Sequence, residues 1–201
     1  LVIPEDIHIK ASGLAAAIRS SNADNVLSGD VLYAVDVNDS GINVNTPHAL
    51  TVSGNIALAS GMTANRRMSL VANGGATSRL IVSGRISDAG DGRSLRLLID
   101  GHGTTPASNG AVELAGDNGL TGDIVIRRGT LLLGHANATG SASQIILADG
   151  GTGNSGNTLA LLTNGAYAVS QDISLNNASG TNTYTAVIGG NSADSSAFAG
   201  S

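Results

Sequence analysis

The phrase Leu50-Thr-Val-Ser-Gly-Asn-Ile56 returns as Leu80-Ile-Val-Ser-Gly-Arg-Ile86, with Val52 and Val82 30 positions apart. A weaker copy, Tyr167-Ala-Val-Ser-Gln-Asp-Ile173, places Val169 87 residues beyond Val82, three steps of 29, and Phe198 lies 29 residues past Val169. Strand-like phrases at Val112–Gly116 and Gln144–Ala148 fill the slots between. A unit of 29 to 30 residues is too small to close a core alone, so it buries its apolar face by stacking on its neighbours. That requirement constrains the chain more than any single motif.

Within the unit, apolar residues come in threes, as in Leu80-Ile-Val82, Leu97-Leu-Ile99, Ile124-Val-Ile126 and Leu131-Leu-Leu133. Such runs are too short for helices. The segments 88–92, 101–110, 149–157 and 176–182 are rich in Gly, Asn, Asp and Ser, which tolerate positive φ or make Asx turns. Only four of 201 residues are aromatic while 28 are glycine, so large aromatic anchors cannot fill the interior. Stacked strands about 4.8 Å apart suit Val, Leu, Ile and Ala in register. The fold expected is an all-β parallel solenoid of about six to seven coils.

The first 47 residues do not follow the unit. Leu14, Ala17 and Ile18 stand at i, i+3 and i+4 with Ser12 placed as an N-cap, which predicts a short amphipathic helix over 12–20. A helix there covers the open end of a solenoid. The expected organisation is therefore an N-terminal cap and first coil over 1–47, then repeats over 48–201. Phe198 opens a repeat that stops at Ser201, so the sequence reads as a fragment truncated at its C-terminal end.

The stretch Gly110-Ala-Val-Glu-Leu-Ala-Gly-Asp-Asn-Gly-Leu-Thr-Gly-Asp-Ile-Val-Ile-Arg-Arg-Gly-Thr-Leu-Leu-Leu-Gly134 resembles the autotransporter-associated β-strand repeat of bacterial surface proteins. Val82–Asp88, Ile173–Asn177 and Phe198–Gly200 resemble its flanking phrases, with Leu120 where the family's corner usually carries an aromatic. Residues 12–35 are similar to the N-terminal cap of pectate-lyase-like right-handed β-helices. The resemblance implies a right-handed parallel β-helix with a short N-terminal capping helix. It also implies an exported passenger segment at the bacterial outer-membrane surface or outside the cell. Membrane contact would then be made only through a transporter barrel absent from this chain.

Charge and composition narrow the chemistry. A net charge of −5 and absent cysteine exclude general affinity for nucleic acid, disulfide staples and thiolate chemistry. The run Leu14–Ile18 is far too short to span a membrane. No metal-ligand spacing occurs at His8, His48 or His135, and Gly150–Asn157 departs from the calcium nonapeptide at Ser155 and Asn157, so no metal or cofactor is expected.

Parallel β-helices also carry polysaccharide lyases and hydrolases, which need clustered carboxylates. Asp88, Asp91, Asp100 and His102 are the local candidates, with Arg93 and Arg96 between them. Asp88 and Asp91 sit in turn sequence, and Asp100-Gly-His102 is flanked by glycine, so no catalytic residue is assigned. A convergence of Asp36, Asp88, Asp100, Glu113 and Asp123 in one groove would favour the enzyme.

Residues 66–96 are net +4 although the chain is acidic. Arg66, Arg67, Arg85, Arg93 and Arg96 form the candidate ligand-binding belt, since guanidinium forks match sulfate and carboxylate groups. The expected function is a non-catalytic adhesin or stalk whose partners are host or matrix glycans or surface proteins. The alternatives are a glycan-degrading enzyme and a matrix or filament protein self-associating through its solenoid ends.

Overall fold

A computed structural model describes residues 1–10, 17–35, 40–101, 110–149, 152, 157–176, 184–193 and 195–200. Every strand pairing in it is parallel, and the chain winds into a β-solenoid of about six turns. Face 1 is built from Val2–Ile3, Asn25–Leu27, Ala49–Val52, Arg79–Val82, Ala111–Leu114, the second half of Ile124–Leu133, Asn157–Thr163 and Tyr184–Gly190. Face 2 stacks Ile7–Ile9, Val31–Tyr33, Ile56–Leu58 and Ile86–Ser87. Face 3 stacks Ile18–Ser20, Ser40–Val44, Arg66–Ala72, Leu95–Asp100, the first half of Ile124–Leu133, Ile145–Leu147 and Ile173–Leu175.

The ladder from Leu50 through Leu80 to Val112 is the column the repeat predicts, whereas Ile145–Leu147, expected to fill a slot of the same column, lies on face 3. Leu50, Leu80, Val112, Leu131 and Leu161 lie in one register, and Met68, Leu97, Ile124 and Ile145 in another, each at most 4% exposed. Ile56 pairs with Ile86, and Val169 with Phe198, at the offsets read from the sequence. Strict alternation on face 1, buried then half-buried, turns Leu80 and Val82 inward and leaves Arg79 and Ile81 on the outside.

Two corners hold this stack. At the corner between faces 1 and 2, glycines lie one above another. A Cβ on Gly54 would stand 2.0 Å from the Gly29 carbonyl oxygen, one on Gly84 1.9 Å from that of Gly54, and one on Gly116 2.2 Å from that of Gly84. Only glycine permits this approach. The residue leading into face 2 is Asp6, Asp30 or Asn55 in the first three turns, and its side chain receives the backbone N–H of the corresponding residue one turn on. Asp6 accepts from Asp30 at 2.9 Å, Asp30 from Asn55 at 2.7 Å, and Asn55 from Arg85 at 3.1 Å. Arginine at 85 carries no acceptor, and buried Asn118 takes over, accepting the Ile86 N–H at 2.7 Å and donating to the Ala138 carbonyl at 2.6 Å.

Turn length is not uniform. Val2 registers with Val26, Asn25 with Leu50, Ala49 with Arg79, Arg79 with Ala111, Ala111 with Thr130, Thr130 with Ala160 and Asn157 with Tyr184. Turns therefore take 24, 25, 30, 32, 19, 30 and 27 residues. The Val82 column runs through Leu114 and Leu133 to Thr163, so Val169 belongs to a different face and the spacing of 87 is coincidental.

The expected N-terminal helix is corrected over its last three residues. Ile18–Ser20 is a strand registered with Ile42–Val44 on face 3, and no helix occurs among the described residues. Residues 12–16 of that expectation lie outside them. An isolated nine-residue helix is marginal in water, whereas a strand here gains a full partner and packs Ile18 against the core.

Candidate functional site

The belt is not one surface. Arg67 and Arg96 do stack, as adjacent partners on face 3, but Arg66 registers with Leu95, not with Arg96. Arg66 is only 7% exposed and donates to the Thr63 hydroxyl at 3.1 Å and weakly to the Asn65 carbonyl at 3.4 Å. Arg96 is bound to Asp123, which follows it in the face 3 column. Arg85 leans over Gly119 at the corner leading into face 2, and exposed Arg93 lies in the loop before Leu95. Of the five, two share a column, and one of those two is already neutralised.

The described carboxylates act as staples between turns. Asp88 accepts from the Leu95 N–H at 2.7 Å and, on its other oxygen, from the Thr121 N–H at 3.0 Å and hydroxyl at 2.7 Å. Asp91 accepts from the Gly61 N–H at 2.8 Å and the Arg93 N–H at 3.1 Å; the Gly61 donor above all holds its carboxyl below the ordinary aspartate value. At Asp123 burial pushes upward, but the Ser143 hydroxyl and the Arg96 guanidinium outweigh it, and the carboxyl again lies below its usual value. Glu113 stands on the outer side of face 1, its Oε1 2.6 Å from where a Gly134 Cβ would be. Asp36 and His102 lie outside the described residues.

A cluster that sequence reasoning missed occupies the corner between faces 3 and 1. There Ile124–Leu133 runs unbroken from one face to the other, with Gly129 at φ 85° making the bend. Arg128 binds Asp100 through Nε at 2.7 Å and Nη2 at 2.8 Å, and Arg127 binds Asp149 through Nε and Nη2, both at 2.8 Å. A longer contact of 3.5 Å joins Arg127 to Asp100. Asp149 is itself fixed by Thr152, whose hydroxyl accepts its N–H at 2.8 Å. Asp100 is 5% exposed, so the two fork-to-fork pairs compensate a buried charge. The signal available in the sequence was a pair of adjacent arginines at the one junction between strand phrases that has no loop.

Among the described residues no group of three or more His, Asp or Glu is placed to hold a metal ion. No helix among them is long and apolar enough to cross a membrane. Comparison with protein-family models, curated proteins and solved structures returned no match.

Proposed function

We propose that this chain is a non-catalytic extracellular passenger segment of an autotransporter-type bacterial surface protein, acting as an adhesin or as a stalk. The observation that carries the reading is the employment of its acidic residues. Asp88, Asp91, Asp100 and Asp123 each spend their oxygens on donors of their own or a neighbouring turn, and hold the stack together instead of facing one another across a groove. An acid-base pair for glycoside cleavage needs carboxyls about 5 to 10 Å apart around an open cleft. The resemblance of the Gly110–Gly134 phrase lends further support, and within that phrase Asn118 and Leu120 are buried.

The test is export. Fused ahead of a transporter barrel and produced in a Gram-negative host, the chain is expected on the cell surface, where external protease removes it. Retention inside the cell would sink the reading. Release of reducing ends or unsaturated uronates from polysaccharide by the purified chain would favour the lyase or hydrolase alternative.

Self-association is a second reading with its own observation. The exposed large apolar side chains among the described residues are Leu1, just before the first strand, and Val2, Leu175, Val187 and Ile188 on the outermost described strands of faces 1 and 3. Ile3, Ile7 and Ile18 line an open hollow of about 220 Å³ at the first turn. The outermost described strands, Val2–Ile3 and Tyr184–Gly190, pair on one side only within this chain, and their parallel edges match a second copy as well as further turns of the same solenoid. Sedimentation at rising concentration is expected to show association under this reading, and a strict monomer overturns it.

A further inference from the structure

The outer side of face 1 carries a polar hollow that the belt hypothesis overlooks. Arg79, Ala111 and Thr130 occupy adjacent places in one register column, so Arg79 and Thr130 are two strand spacings, roughly 10 Å, apart with only a methyl group between them. The small residue leaves a depression of about 170 Å³, lined also by Leu132, Leu162 and Asn191. Leu132 is 3% exposed and forms apolar floor.

The polar lining is uncommitted. Arg79 uses its backbone N–H on the His48 carbonyl, and its half-buried guanidinium has no hydrogen bond or ion pair among the described residues. The Thr130 hydroxyl and the Asn191 side-chain amide are likewise unengaged there. Of the acids on the same face, Glu113 leans over Gly134 in the following turn and so away from the turn that carries Arg79, and Asp24 accepts the Ala49 N–H at 2.8 Å. Arg79 thus differs from Arg96, Arg127 and Arg128, each of which is bound to a carboxylate.

We infer that this hollow binds one acidic sugar unit of an extended polysaccharide, with Arg79 taking a carboxylate or sulfate. Its size is below that of a pocket for a whole drug-sized ligand and fits a single ring or substituent. A guanidinium fork matches either anion bidentately. The Thr130 hydroxyl and Asn191 amide suit ring hydroxyls, and the leucine floor suits the C–H face of a pyranose. Arg79, Ala111 and Thr130 stand on strands paired on both sides, so no strand edge is open to a peptide beside the arginine. This inference rests on the adhesin form of the proposed function, yet it is tested on the purified chain and so fails or stands apart from export.

Calorimetry with a heparin octasaccharide, an oligogalacturonate and neutral maltoheptaose separates the sources. Binding of either acidic probe without the neutral one is expected, the stronger of the two naming the anion. Arg79→Gln is expected to weaken it about tenfold, the worth of one charged hydrogen-bonded contact, with melting unchanged because that side chain holds nothing else. Glu113→Gln is expected to tighten binding, and Arg93→Gln in the exposed belt to leave it within about twofold. Equal binding of maltoheptaose, an Arg79→Gln chain that binds like the parent, or tighter binding of a poly-glutamate peptide than of both acidic sugars overturns the assignment.

Discussion

The corner between faces 1 and 2 and the corner between faces 3 and 1 solve one problem, returning the chain to its next strand, in opposite ways. The first repeats a recipe: Ser28-Gly-Asp30, Ser53-Gly-Asn55 and Ser83-Gly-Arg85 turn with carbonyls packed against glycine. The second keeps no common length. Between successive strands it spends 4 residues after Ser20 and again after Val44, 6 after Ala72, 10 after Asp100, none within Ile124–Leu133 and 9 after Leu147. Where backbone contacts set the geometry, each turn must resemble the last. Where side chains clasp across turns, length is free and specific chemistry can gather.

The comparison is broken most directly at the glycine column. Gly84→Ala puts a methyl group 1.9 Å from a carbonyl oxygen, and the ladder must shift, at a cost of about 3 kcal/mol. Urea unfolding measures it, and a loss under 1 kcal/mol refutes strict packing at this corner. Asp100→Ala comes next, because it leaves Arg128 without its carboxylate. Since Arg128 is 17% exposed, the cost is discounted from the fully buried case to about 2 to 3 kcal/mol. The Asp100→Ala/Arg128→Met double variant should recover part of that loss. A purely additive result shows that the pair is not a coupled clasp.

Asn118→Ala strips a buried N–H and a buried carbonyl of their partners and should cost about 2 kcal/mol, read by the same denaturant curve. The smallest effect is acid sensitivity at Asp123. Its folded carboxyl lies below the ordinary value, so the stability it contributes is fully present above the unfolded pKa and is lost as pH falls through the folded one. Asp123→Asn should therefore be the less stable chain at neutral pH, with the gap to the parent closing on acidification below about pH 4. A gap that stays constant with pH assigns the loss to packing.

Legibility in the sequence followed the same division. Leu50–Ile56 and Leu80–Ile86 announced their own register, because identical side chains in identical columns leave a spacing that can be measured by eye. The pairing of Val169 with Phe198 was legible from their spacing of 29 alone. The irregular corner left no period. Its turns of 32 and 19 residues share no spacing, so the unit of 29 to 30 read from Val52, Val82 and Val169 passed over both. Arg127 and Arg128 read as the tail of a strand phrase, since their carboxylates come from neighbouring turns, 22 and 28 residues away in sequence. Local helix signals at 12–20 were outweighed at Ile18–Ser20 by a strand partner that no local window contains. The arginine belt failed as a unit because charge counted along the chain ignores which column each side chain enters and what already sits beside it.

The unbroken strand Ile124–Leu133 has a geometric consequence. The 19-residue turn it completes and the 32-residue turn before it each climb by one strand spacing, about 4.8 Å. Reach along the axis is thus counted in turns and is indifferent to residue number. Added sequence alters girth at a single edge, so such a molecule can lengthen its side loops without moving either end of itself any farther from what holds it.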